Sequence, residues 1–356
     1  MGNRATVGAS LASLVKMALP LCQRAERECP RTGPGRKPEI PDWVLAVLIM
    51  VAIVKRKKSK SAQYRFLDEH RRELKELLGT DQFPARSTYF DRYRRAHGLF
   101  AQAIKRQGAQ AVAEGVVNAS DVAADKSLIA ARGPLWHKSD RQRNRVPKGL
   151  RGIDRDSDWG CSKHDGWVQG YSFEVLVSAT KNSQVFPLLA SVATASAKET
   201  TTFDEKIDDL PATTKNVSAD SGYDSNHVAE RVEYSADGKR TGRRFLCPEN
   251  PRGSKDKSGR KPVKPRDESH RRRLARRQFY RSPRGKAIYR RRGQTVEPFN
   301  EWFKSLFELE DRVWHRGLEN NRTQLLAALF TYGLLVRYNH RRGNDNGQIR
   351  WIIDTL

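Results

Sequence analysis

The chain has 356 residues, of which 37% are hydrophobic, and its 67 Lys and Arg against 41 Asp and Glu give a formal charge of +26 at pH 7. So much apolar residue excludes a disordered basic tail, and the length leaves room for two or three packed units. The charge points instead to a globular protein with a polyanionic partner.

From the start to about Gln110 the pattern is helical, over Ala12 to Leu19, Trp43 to Lys58 and Ala62 to Leu78, with Pro30, Pro38, Pro41 and Pro84 between the runs. No small-residue cleavage site follows Pro20, so the expected address is the cytoplasm. The apolar run Trp43 to Val54 falls short of the roughly 20 residues that span a bilayer and reads as a buried helix, with no membrane role. Gly79 is placed to end the third helix. In the next one Tyr89, Phe90 and Tyr93 alternate with Arg92, Arg94 and Arg95. That helix is either the reading helix of a small DNA-binding bundle or a basic solvated face.

Near Val116 the character turns strand-like. The segments Val116 to Ala131, Gly170 to Thr180, Val185 to Thr194 and Asn216 to Asp220 are short apolar runs separated by turn residues, so the middle of the chain is α/β. From Lys239 to Arg292 roughly twenty Lys and Arg face only Glu249, Asp256, Asp267 and Glu268. This stretch is expected to be a basic insertion, near 232–285, that contacts DNA or forms a flexible strap. Helix returns from Val296, with Thr295 as its cap and Pro298 in its first turn, and again over Gly317 to Asn339. The four cysteines are too scattered for a disulfide framework, and Cys161 with His164 has the spacing of half a zinc site without a second half, so Cys161 reads as an ordinary loop residue.

Acids inside these basic surroundings carry the chemistry. Asp125 lies in an otherwise apolar strand, where a charge is costly unless compensated; Asp121 falls on the same strand face and is its rival. Asp220 ends an apolar run and precedes Gly222, the place where α/β proteins set ligand-binding groups, although a plain turn uses the same residues. Glu297 and Lys304 share one face of the following helix. Three acids on separate elements suggest a carboxylate cluster that holds divalent cations beside a phosphate backbone.

These motifs, in this order, resemble the DDE transposases of bacterial insertion sequences. The first acid is matched by Asp125. A D-x-G-Y-D pattern is matched by Asp220, Gly222, Tyr223 and Asp224, and a Tyr…Arg…Val-Glu-Pro-Phe…Lys signature by Tyr289, Arg292, Val296, Glu297, Pro298, Phe299 and Lys304. Arg292 stands one residue further from Glu297 than in the tighter form of that signature, with Gly293 in the arginine's place. The resemblance implies a ribonuclease-H-like mixed sheet flanked by helices over residues 113–340, after an all-helical end-binding domain over 1–112 and before a tail over 341–356. It implies that Asp125, Asp220 and Glu297 bind two Mg²⁺ ions, with Mn²⁺ able to stand in. It further implies that Tyr289, Arg292 and Lys304 contact the end of the element, and that Trp159 or Trp167 either stacks on a flipped base or packs in the core. The partners would be double-stranded DNA, both transposon ends and target, bridged by a homodimer in the bacterial nucleoid. The activity would be cleavage at terminal inverted repeats followed by strand transfer. The rival readings are a non-catalytic DNA-binding descendant and a nuclease of the same fold.

Overall fold

A computed structural model describes residues 10–29, 38–162, 165–235, 237–250, 267–344 and 348–356. Six helices come first: α1 (Leu11–Glu28), α2 (Asp42–Val54), α3 (Lys60–Glu69), α4 (Arg71–Leu78), α5 (Arg86–Tyr93) and α6 (His97–Ala113). Apolar on every side, α2 is buried from Val44 to Val54, as its sequence requires. Helix α1 runs on through Pro20 to Glu28, further than expected. Proline costs the helix a hydrogen bond, but Leu21, Cys22 and Ala25 are buried beyond it and hold the second half in place. The stretch expected as one helix breaks at His70 into α3 and α4, and α4 ends at Gly79 in the left-handed conformation (φ 62°), which glycine adopts without strain.

On α5 the aromatic side faces inward. Tyr89 and Tyr93 are fully buried; Tyr89 donates to Gln63 at 2.8 Å and the Tyr93 hydroxyl meets His315 Nε2 at 3.1 Å. Arg92 is tied back to the carbonyl of Ile40 at 2.7 Å and to Asp42. Arg86, Arg94 and Arg95 remain exposed on the outer side.

The sheet comprises β1 (Asp121–Ala130), β2 (Asp158–Ser162), β3 (Gly166–Ser178), β4 (Pro187–Thr194), β5 (Asn216–Ser218) and β6 (Arg244–Leu246), with α7 (Lys138–Gln142), α8 (Glu199–Asp204) and α9 (Asn226–Glu233) in the connections. Long β3 pairs antiparallel with β2 along its first residues and with β4 along the rest. Its other edge pairs antiparallel with β1, which pairs in parallel with β5, and β5 in parallel with β6. This is the ribonuclease-H-like order, a mixed sheet with β1 at its centre.

Four helices close the chain: α10 (Glu268–Arg281), α11 (Pro283–Leu306), α12 (Leu318–Arg341) and α13 (Arg350–Thr355). The helix expected from Val296 in fact begins thirteen residues earlier, where Ser282 caps it and Pro283 fills its first turn, so Pro298 lies inside and Thr295 bonds back to the carbonyl of Arg291 at 2.8 Å. Phe303 and Phe299 of α11 are buried, and Phe303 meets Phe173 of β3 at 5.1 Å between ring centres, which fixes the helix on the sheet. Of the basic insertion, residues 236 and 251–266 lie outside the described residues. Its described part is pinned: Arg276 pairs with Glu233 at 3.5 Å and Arg277 with Glu249 at 2.8 Å, and α10 packs on α11 and β6. Almost every residue of α12 is buried, between β4 on one side and α1, α2 and α6 on the other, so one apolar core runs through helices and sheet alike. Among the described residues no helix is long and apolar enough to cross a membrane.

Candidate active site

Strand β1 places Asp125 opposite Val175 at the middle of the sheet. Its carboxylate is enclosed by α11: Arg292 Nη2 donates to Oδ1 at 2.5 Å and Asn300 Nδ2 to Oδ2 at 2.8 Å. Burial pushes this carboxyl up to about 6; the Arg292 charge pulls against the shift, and the charges of Asp220 and Glu297 add to it. Arg292 reaches across with Nη1 to Glu297 Oε1 at 3.0 Å, and its charge also senses Asp220. Asp125, Asp220 and Glu297 thus come from a strand, a strand-end turn and a helix; the first and last bond to Arg292, and Asp220 acts on it through its charge.

The D-x-G-Y-D segment resolves into separate tasks. Asp220, just past β5, accepts the backbone N–H of Gly222 at 2.8 Å, which holds the turn. A Cβ on Gly222 would meet the carboxylate end of Glu199 and lie 3.0 Å from Oδ1 of Asp220, so a larger residue there would have to displace the Glu199 side chain. Tyr223 is fully buried against Phe203, at 5.6 Å between ring centres, and anchors the turn. Asp224 accepts from the Asn250 N–H at 3.0 Å and pairs with Arg273 at 3.5 Å, joining this turn to the basic segment and α10.

Glu199, in the first turn of α8, is an acid that sequence reasoning missed. Burial, with Asp220 adding and Lys126 opposing, pushes its carboxyl up to about 7. Nothing local marks it, because the run Lys198 to Asp204 reads as an ordinary helix start. Its one signal is indirect: its carboxylate lies against the bare Gly222. Asn300 was also missed, though it lies one turn beyond Glu297 on the side of α11 that faces β1. On the opposite face of β1, Lys126 donates to the carbonyls of Ala195 at 3.0 Å and Ala197 at 2.6 Å, and Glu174 is paired with Lys206 at 2.7 Å.

Asp121 stays apart from this cluster. It accepts from Asn216 at 2.7 Å and pairs with Arg291, and four strand residues set it roughly 13 Å from Asp125. Tyr289 stands near Arg292 and Asp220, with burial pushing its hydroxyl up to about 12. Lys304 is buried two turns along α11 and stands 3.8 Å from Glu301. Trp167 is 60% exposed at the tip of β3, with Lys138 3.9 Å from its ring centre, and Trp159 donates to the Trp136 carbonyl at 2.9 Å. Eight strand residues separate Trp167 from the partner of Asp125, roughly 26 Å, so this ring does not reach the carboxylates. Cys161 lies on strand β2, where it is exposed and free, and His164 is outside the described residues. Among the described residues no group of three or more acids, histidines or cysteines stands close enough to share a metal ion. Between Asp125 and Glu297 the intervening group is Arg292.

A family model described as transposase DDE domain matches residues 118–334, well over half of the chain. The chain belongs to the DDE-domain transposases. A search of curated proteins finds no match. Among solved structures, the chain is similar to a piggyBac transposase, determined by cryo-electron microscopy in a synaptic complex with hairpin DNA, at 10% identity and a TM-score of 0.40 over 96% of this chain and 76% of that one.

Proposed function

We propose that this transposase cuts DNA at the ends of a mobile element of the bacterial insertion-sequence kind and joins the freed 3′-hydroxyl to target DNA, with Asp125, Asp220 and Glu297 as its catalytic acids. The observation that carries the reading is that Asp125 and Glu297 bond to one buried guanidinium whose charge also interacts with Asp220, in a strongly basic chain. Their oxygens suit a hard divalent cation such as Mg²⁺ or Mn²⁺, and Asn300 Oδ1, buried without a partner beside Asp125, adds a neutral oxygen of the same type. Two such ions, when bound, activate the attacking oxygen and stabilise the leaving one.

The chain's own residues divide the remaining work. Asp125 is fixed by the central strand and by Asn300, so it sets the position of the site. Asp220 is held by its turn. Glu297 is 59% exposed and keeps freedom to turn toward either neighbour. Tyr289 and Arg292 line the approach and are proposed to hold the end's phosphates, as is Lys304 once released from Glu301. A dimer that bridges two ends, working on DNA in the cytoplasm, belongs to the same reading.

The test is cleavage of a supercoiled plasmid that carries the element's flanking sequences. Glu297→Gln keeps the side chain's size and removes its charge, so end binding should persist while Mg²⁺-dependent cleavage falls about a hundred- to a thousandfold, the loss expected when one charge-stabilising group is removed. Cleavage by the variant at the wild-type rate would refute the assignment.

A further inference from the structure

The acids assigned above do not hold a metal ion together as they stand, and the reason is visible. Arg292 is 6% exposed and lies between Asp125 and Glu297, 2.5 Å from one carboxylate and 3.0 Å from the other. Its Nε is buried without a partner, so the guanidinium is held through its two terminal nitrogens alone. A structural arginine enclosed to this degree normally has its donors satisfied. One end of the bridge is open, since Glu297 is largely exposed, and the position one turn before it is the bare Gly293, where a Cβ would lie 3.7 Å from the Glu297 oxygens. The neighbouring Arg291 is committed to Asp121. Arginine stays protonated at any working pH, so it competes for these oxygens under all conditions in which the protein is used.

We propose that Arg292 is a built-in counter-ion: in the DNA-free protein it occupies the place between Asp125 and Glu297 that a divalent cation needs, and it leaves when a DNA phosphate offers it another anion. The proposal rests on the reading of the acids given above. Cation loading and DNA binding would then be coupled through one side chain. Free protein would take up divalent ions poorly and would cut only where a backbone has drawn the guanidinium away. Linkage makes the effect reciprocal, so DNA should strengthen cation binding by the factor by which cations strengthen DNA binding.

The test measures Mn²⁺ binding to the full chain from the free-ion electron paramagnetic resonance signal, with and without a short duplex taken from the element's flank. Without DNA, Arg292→Gln should bind Mn²⁺ at least tenfold more tightly than wild type. Adding the duplex should tighten wild-type binding at least tenfold and change the variant's by less than twofold. Equal or weaker binding by Arg292→Gln overturns the counter-ion and leaves the acids' assignment standing. If neither protein binds Mn²⁺ with or without duplex, both readings fall. Should the variant not fold, the wild-type comparison decides alone, and Mn²⁺ affinity indifferent to the duplex overturns the proposal.

Discussion

Replacing Asp125 with Asn should make the protein more stable at neutral pH. In the fold this carboxyl titrates near 6 against an ordinary 3.8, a rise of about 2 pH units. Between those two values the folded state holds a proton that the unfolded chain has released, so stability falls as pH rises through the interval. At 1.36 kcal/mol per unit the loss is complete above pH 6 and amounts to about 3 kcal/mol. Asn keeps the shape and carries no charge. Its Oδ1 can still accept from Arg292, and turning the Asn300 amide over would let the unpartnered Oδ1 of that residue accept from the new side chain. Urea unfolding in the presence of a chelator, from pH 4 to pH 8, should show Asp125→Asn and wild type nearly equal at pH 4 and the variant ahead by about 3 kcal/mol at pH 8. A gap that does not change with pH, or a variant weaker at pH 8, would show that Asp125 is not held against its own charge.

Two further outcomes follow from other parts of the chain. Lys206 and Glu174 form a pair with both side chains almost fully enclosed, so Lys206→Ala should cost about 3–5 kcal/mol by leaving the carboxylate uncompensated, and a loss below about 1 kcal/mol in the same unfolding assay would contradict that enclosure. With a charge of +26, binding to duplex DNA should neutralise several phosphates, and for about six contacts affinity should fall about a thousandfold between roughly 50 and 200 mM salt; a flat response in a filter-binding titration would mean that the basic segments serve something other than a backbone.

The long strands and the buried helix were legible in the sequence because burial on both faces forces continuous apolar runs, as in Val44 to Val54 and Tyr171 to Val177. Strand β6 was not, since three residues with no clear alternation give no period to detect, and β2 was legible only through the resemblance of Asp156 to Ala179 to a strand pair. The start of α11 was missed because Arg-rich sequence hides a helix whose apolar face is sparse before Val296. Asp125, Asp220 and Glu297 could be picked out as candidates because charges in apolar strands and acids at strand ends are uncommon. Glu199 could not, because what distinguishes it is a neighbour more than twenty residues away rather than anything in its own segment.

Helix α12 gives the molecule an unusual dependence on its own beginning. Its apolar surface is shared out between β4 and the leading helices, and Arg337 within it is paired at 2.9 Å with Glu114, at the end of α6. A fragment that started at β1 would leave that surface wet and that guanidinium unanswered. The leading segment therefore cannot be exchanged as a detachable cassette. The outward-facing Arg86, Arg94 and Arg95, by contrast, can be altered one at a time on a frame that stays whole.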